Sequence, residues 1–153
     1  KHKPCLIIEP GTAIVADAMK YVCKIISIKK IRDRTFVSLT GSTYNINPNP
    51  NRKNVPIEVF SRADTSNRIL VNGAHLCGYT CIEGDYLHSD YNGDISVDDF
   101  LVFDDVGSYS VVMKPPFILP NVAIIELLPD QNGFEVIKRS ETFDDVFSTY
   151  VFD

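Results

Sequence analysis

The chain has 153 residues, 44% of them apolar and 23% charged, with a formal net charge of −5. This describes an ordinary globular composition with enough apolar material for one core, in one domain or one small domain plus an appended piece. The negative charge argues against nucleic acid as a partner, because phosphate binding needs a basic face. No apolar run approaches the ~20 residues of a membrane helix, and the stretch after Lys1-His2-Lys3-Pro4 is too short for a secretory signal.

In chain order, residues 3–9 read as a short strand. The continuous apolar run Cys5-Leu6-Ile7-Ile8 is the pattern of a strand covered on both faces, and Pro10-Gly11 ends it. Such a strand needs neighbours, so its place at the start of the chain predicts further structure upstream. Residues 12–19 suit one or two helical turns. The β-branched run from Tyr21 to Ile31 predicts a long strand, turned by Ile31-Arg32-Asp33-Arg34 into a second strand at residues 35–44. Residues 45–55 are rich in Asn and Pro and read as irregular. A third strand is predicted at 56–60, a polar loop at 61–67 and a fourth strand at 68–72. Tyr86-Leu87-His88 falls in a fifth, and residues 99–103 form a sixth. Residues 122–128 and 134–138 form a final pair, joined by Pro129-Asp130-Gln131-Asn132-Gly133, where Asn-Gly is a hairpin signal. Ser140 or Thr142 can cap a short closing helix whose first turn carries Glu141, Asp144 and Asp145. Many short strands with few long helices predict an antiparallel β-barrel or sandwich.

The cysteines are Cys5, Cys23, Cys77 and Cys81. Two of them lie inside apolar strand-like runs, where a reduced cysteine packs as a small hydrophobe. We therefore expect free thiols and a reducing, cytoplasmic setting. Cys77 and Cys81, even with His75 and His88 nearby, lack zinc-ribbon spacing. Asp90-Tyr91-Asn92-Gly93-Asp94 imitates the start of a calcium loop, but the positions that should hold Gly and a bidentate Glu hold Ile95 and Leu101. A polar Asn92-Gly93 turn between strands is the expected structure there.

Three separated pieces fall in one order: Ile8-Glu9-Pro10-Gly11, then Gly78-Tyr79-Thr80-Cys81-Ile82-Glu83-Gly84-Asp85, then Phe103-Asp104-Asp105-Val106-Gly107-Ser108-Tyr109. Lys138-Arg139-Ser140-Glu141-Thr142 closes the chain. Together they resemble the pyridoxal phosphate-dependent decarboxylases that include the diaminopimelate and ornithine enzymes. The resemblance implies a mainly β domain like the C-terminal domain of alanine racemase, with short helices, following a TIM-like barrel of roughly 250 residues. By it, residues 1–18 are the last strand and exit of that barrel, and residues 19–153 are the β-domain. The barrel would carry the lysine that binds the cofactor and the glycine-rich phosphate loop. The piece alone is then expected to be inactive, the enzyme a homodimer and the substrate an amino acid.

The resemblance also implies roles. Glu9 matches the glutamate that pairs with the cofactor's pyridinium nitrogen; a carboxylate there keeps the ring protonated and able to accept electrons. A strand-end glutamate in solvent is the plainer alternative. Gly11 and Thr12 lie where the family contacts the cofactor phosphate. Cys81 matches the cysteine that crosses the dimer interface and protonates the substrate carbon after CO2 leaves; a buried structural cysteine is its alternative. Tyr109 matches the tyrosine of the Gly-Ala-Tyr motif, which contacts cofactor or substrate, the alternative being a core tyrosine. Asp85 reads as a structural residue orienting the Cys81 loop.

Two departures stand out. Thr12 replaces the usual arginine, so one neutral hydrogen bond replaces a charged fork on phosphate. Ile82 replaces the usual acidic residue that receives a diamino acid's distal ammonium, whose burial is costly without a partner. Glu83 comes next, but in an extended segment it points the other way; in a tight loop it is the substrate-binding substitute. Met113-Lys114-Pro115-Pro116 lies near the expected pocket. Racemisation or epimerisation on the same cofactor, and a non-catalytic β-module, remain the alternative functions.

Overall fold

The computed structural model describes residues 2–47, 54–61, 68–129 and 132–151. Strand β1 (Tyr21–Ile31) occupies the span that its β-branched run predicts. Along its first half Tyr21, Cys23 and Ile25 point into the core while Val22 and Ile26 face outward, the period-2 alternation of a half-buried strand. Arg32 and Asp33 turn the chain into β2 (Arg34–Leu39), which pairs antiparallel with β1. The predicted second strand stops earlier than expected, because residues 43–45 form a short 3-10 turn capped by Ser42.

The remaining strands are β3 (Ile57–Phe60), β4 (Ile69–Cys77), β5 (Tyr86–Ile95), β6 (Phe100–Phe103), β7 (Ile124–Leu127) and β8 (Phe134–Lys138). Six of them form one nearly closed, barrel-like sheet in the order β3-β6-β1-β2-β4-β5, and β7 and β8 form a separate hairpin. The mainly β barrel expected from the sequence is thus present. Among the described residues one pair departs from the antiparallel pattern: β2 and β4 run parallel, with Phe36 opposite His75 and Ser38 opposite Cys77. Their connection carries β3 to the far edge of the sheet, so β2 and β4 can point the same way.

β4 and β5 are each longer than predicted, which corrects the reading of Asn92-Gly93 as a turn. Both residues lie inside β5, and the pairing with β4 absorbs them through register shifts between Val71 and Ala74 and again on to Leu76. The Asn92 side-chain oxygen accepts the Gly73 amide at 2.9 Å, so an apparent turn signal is spent on a strand irregularity.

Ile25, Leu39, Leu76, Leu87, Ile95, Leu101 and Phe103 fill the barrel and are fully buried. Each such side chain contributes roughly 1.5–3 kcal/mol by leaving water. The strand predicted at residues 3–9 takes another form. Residues 2–10 have no regular structure, and Leu6, Ile7 and Ile8 are 86%, 82% and 68% exposed, because no strand lies beside them to complete a ladder. The predicted helical turns are α1 (Thr12–Val15), followed by a 3-10 turn at Ala16–Ala18. The closing helix, α2 (Phe143–Phe147), takes Thr142 as its cap, in a reciprocal box with Asp145.

β7 and β8 pair as the hairpin signal predicts, although Asp130 and Gln131 of its turn lie outside the described residues, as do most of the Asn/Pro-rich stretch and nearly all of the loop at 61–67. Among the described residues no helix is long and apolar enough to cross a membrane.

Candidate functional site

The predicted residues fall into two groups. The first joins the start of the domain to the segment after β6. Gly107 donates its N–H to the Ala16 carbonyl at 2.8 Å, and Val106 donates to the Met19 carbonyl at 3.2 Å. The Thr12 and Ser108 hydroxyls share a hydrogen bond of 3.0 Å. Tyr109 is 51% exposed and adopts a left-handed backbone conformation, with φ of 65°. Its hydroxyl lies 3.9 Å from where a β-carbon on Gly11 would stand, and among the described residues, Gly11 and its two chain neighbours aside, nothing else comes within 4 Å of that point. The chain thus brings Gly11, Thr12 and Tyr109 together. Glu9 lies two residues before Gly11 and is exposed.

A depression of about 350 Å³ adjoins this group, lined by Thr12, Ser108, Val106, Val55 and Pro56. A larger, shallower one of about 570 Å³ is lined by Pro116, Asn121, Lys138, Arg139 and Glu141; of the positions predicted at or near the site it holds Pro116 of the Met113–Pro116 segment but none of Glu9, Gly11, Thr12, Cys81, Glu83 and Tyr109. Its charges are already paired, Lys138 with Glu141 and Arg139 with Asp145. The chemistry is therefore read at the smaller one. Lys114, of the Met113–Pro116 segment, is part-buried, and burial and then the charge of Lys138 lower its pKa.

The second group is the loop between β4 and β5, which holds Cys81, Ile82 and Glu83. Asp85 anchors it. This carboxylate is only 4% exposed, yet it accepts five hydrogen-bond contacts. Thr80 donates its hydroxyl at 2.7 Å and its amide at 3.1 Å, Thr43 donates its amide at 2.9 Å, and the Ser42 hydroxyl lies 2.9 Å from both oxygens. A buried carboxylate needs such donors to offset the hydration it loses. Gly78 is required beside it, because a β-carbon there would overlap the Asp85 carboxylate.

A second strut comes from Asn45, whose amide oxygen accepts the Tyr21 hydroxyl at 2.8 Å and whose amide nitrogen donates to the Tyr79 hydroxyl at 3.3 Å. The donors Ser42, Thr43 and Asn45 were not among the sequence-predicted residues. Their only signal was a cluster of small polar residues just past a strand.

On this frame Cys81 and Glu83 are exposed and Ile82 is half-buried. The loop bends throughout residues 79–84, and Ile82 donates its amide to the Thr80 hydroxyl at 3.3 Å. The alternation of an extended segment therefore does not govern Glu83. Among the described residues no hydrogen bond joins this loop to the Gly11–Tyr109 group. All four cysteines are free thiols, and His75 stacks between Phe36 and Tyr86 with ring separations of 5.5 and 5.0 Å. Among the described residues, no three His, Cys, Asp or Glu side chains gather as a metal site.

Residues 12–107 match the model of the pyridoxal-dependent decarboxylase C-terminal sheet domain. The chain is 33% identical over 152 residues to a diaminopimelate decarboxylase of Buchnera aphidicola subsp. Baizongia pistaciae, covering 92% of this chain and 36% of that protein. It is 26% identical over 154 residues to the L-glutamyl-[BtrI acyl-carrier protein] decarboxylase of Niallia circulans, covering 94% of this chain and 35% of that protein. Its fold matches the crystal structure of diaminopimelate decarboxylase from Helicobacter pylori complexed with L-lysine, with a TM-score of 0.75 at 20% identity, over 92% of this chain and 34% of that one. The chain thus spans about a third of the length of the relatives it matches. With the family model covering more than half of its residues, the chain belongs to the pyridoxal-dependent decarboxylases and carries their C-terminal sheet domain.

Proposed function

We propose that this chain is the C-terminal part of a pyridoxal phosphate-dependent amino-acid decarboxylase, inactive alone, whose site is completed by a barrel domain and by a second copy. On this reading residues 1–18 are the barrel's exit and residues 19–153 the β-domain. The observation that carries it is the meeting of Gly11 with the Tyr109 hydroxyl, 3.9 Å from the glycine's β-position, two residues after an exposed carboxylate at Glu9.

These residues suit one edge of the cofactor. Hydroxyl groups and an unobstructed glycine backbone suit a phosphate, and a carboxylate suits a protonated ring nitrogen. Residues 9–12 and 107–109 include no lysine or arginine, so the phosphate's charge would be offset by the barrel. A cofactor held there would supply an electron sink for the substrate's α-carbon.

The chain's own residues then have separable tasks. Glu9 holds the ring proton, Tyr109 and Gly11 fix the cofactor's position, and Thr12 stands beside them with its hydroxyl on Ser108. Cys81 reaches the partner's site as the proton donor, supported by its exposure on a loop that Asp85 holds and by the absence of hydrogen bonds, among the described residues, to this chain's own Gly11–Tyr109 group. Ile82 beside it offers no charge to a distal ammonium, which argues against lysine, ornithine and diaminopimelate as preferred substrates, with Glu83 the only acid in the loop before Asp85.

The test is CO2 release by the full-length protein, loaded with pyridoxal phosphate, across a panel of amino acids. Release from one substrate is expected. Cys81→Ala should lower the rate by about 10²–10⁴-fold while the cofactor stays bound. No release from any amino acid, with exchange of the α-hydrogen instead, would replace decarboxylation by racemisation.

A further inference from the structure

Helix α1 and the 3-10 turn after it are seven residues long, and none of those residues is buried. A piece so short does not hold its own shape in water. It is held from outside, by the 106–110 segment. Gly107 and Val106 donate their amides to the Ala16 and Met19 carbonyls, and the Thr12 and Ser108 hydroxyls bond to each other across 96 positions of sequence. Ser108 is 7% exposed, so this bond is sheltered on one side. Gly107 allows the approach, because a β-carbon there would overlap the Val15 carbonyl oxygen, a backbone atom that cannot swing away. Next along the chain, Tyr109 sits at φ of 65°. A bulky residue keeps that conformation only where its surroundings impose it.

We propose that Gly107 and the Thr12–Ser108 hydroxyl pair form a latch that sets the distance between Gly11 and the Tyr109 hydroxyl. Thr12, Ser108 and Gly107 are then positioning residues, and Thr12 acts through Ser108 rather than as a phosphate ligand in its own right. This rests on the reading that Gly11 and Tyr109 face the cofactor.

The experiment uses the full-length protein and two readouts: amide hydrogen exchange of residues 106–109 without cofactor, and the dissociation constant for pyridoxal phosphate. Ser108→Ala and Thr12→Val should each speed exchange at Val106 and Gly107 and weaken cofactor binding by about fivefold. The double variant should be no worse than either single one, because both remove the same bond. Thr12→Ser keeps the hydroxyl and should bind as the parent does. Gly107→Ala should act in the same direction and more strongly; if it fails to fold, the hydroxyl variants carry the test.

Two controls, Tyr109→Phe and Glu9→Ala, separate the outcomes. If they weaken cofactor binding while Ser108→Ala and Thr12→Val do not, or if the two hydroxyl variants add independently, the latch is overturned and the functional reading stands. If Tyr109→Phe and Glu9→Ala bind cofactor like the parent, the functional reading falls and the latch falls with it.

Discussion

The Asp85 carboxylate accepts both the hydroxyl and the amide of Thr80, at 2.7 and 3.1 Å, and so ties the end of the Cys81 loop to its beginning. It also takes the Thr43 amide at 2.9 Å, fastening that loop to the segment after β2. Tyr79 adds two further ties, its amide donating to the Gly41 carbonyl at 3.2 Å and its hydroxyl accepting from the Asn45 amide nitrogen at 3.3 Å, while residues 79–84 are otherwise exposed or half-buried.

Replacing this acceptor should therefore be costly. Asp85→Asn turns an NH2 group toward one set of donors and strands at least one amide. Leaving buried donors unsatisfied costs on the order of 3 kcal/mol. We expect a clearly lower urea midpoint for the full-length protein, and faster reaction of Cys81 with a thiol reagent as the loop loosens. An unchanged midpoint would mean that water replaces Asp85 at little cost.

Much of the barrel was legible in the sequence. Tyr21–Ile31 is an unbroken β-branched run with a clear turn after it, and the hairpin of β7 and β8 follows from Asn132-Gly133 between alternating segments. What failed has physical causes. The run Cys5–Ile8 has a strand's composition, but a strand exists only with a neighbour, and residues 2–10 have none here. Asn92-Gly93 carries a turn's composition, yet the Gly73 amide and the register shifts of β4 place it mid-strand. The parallel pairing of β2 with β4 leaves no local signature. At the site, Asp85 was legible from its Gly-Asp pair, but its donors Ser42 and Thr43 lie more than forty positions away. No spacing rule reaches that far.

Cys23 provides a test of the core at high pH. Burial first of all pushes its thiol up to about 12, against an unfolded value near 8.5. The folded state thus prefers the protonated thiol. The associated stability is fully present below about pH 8.5 and is lost as pH rises from there towards 12. Cys23→Ala should lower stability at neutral pH through the cavity it leaves, while flattening the alkaline decline. Labelling of Cys23 by a thiol reagent at pH 8 should proceed only at the rate of unfolding. Rapid labelling of the native protein would show that Cys23 is not enclosed.

The closing helix should respond at the other end of the scale. The bidentate bond from Arg139, then the amide and hydroxyl of Thr142, hold the Asp145 carboxyl well below the ordinary carboxylate range. A lowered folded pKa means that the contribution is present above the unfolded value of about 3.9 and is lost as pH falls through the lower folded value. The protection of residues 143–147 against hydrogen exchange, taken relative to the intrinsic rate at each pH, should therefore fall below about pH 4, and Asp145→Asn should remove that dependence by lowering protection at every pH. Protection in the parent that stays constant through this pH range would mean that the cap contributes nothing to holding α2.

Ile82 offers the sharpest test of substrate choice. Its backbone is held by Thr80 and by Asp85, whose amide donates to the Ile82 carbonyl at 3.1 Å, so a new side chain should leave the loop's path intact. If this loop meets the substrate's distal end, isoleucine there repels an ammonium by withholding any partner for it. Ile82→Glu supplies that partner. In the full-length enzyme it should raise kcat/KM for diamino acids by about 10- to 100-fold relative to substrates with an uncharged end, the range expected for one hydrogen bond to a charged group. Competition between a diamino acid and the parent's preferred substrate, followed by labelled CO2, measures that ratio directly. If Ile82→Glu leaves the ratio unchanged while Glu83→Gln shifts it, the distal contact belongs to Glu83, which the bend of residues 79–84 turns out of strict alternation. If neither shifts it, the loop does not read the substrate's far end, and selectivity resides in the barrel.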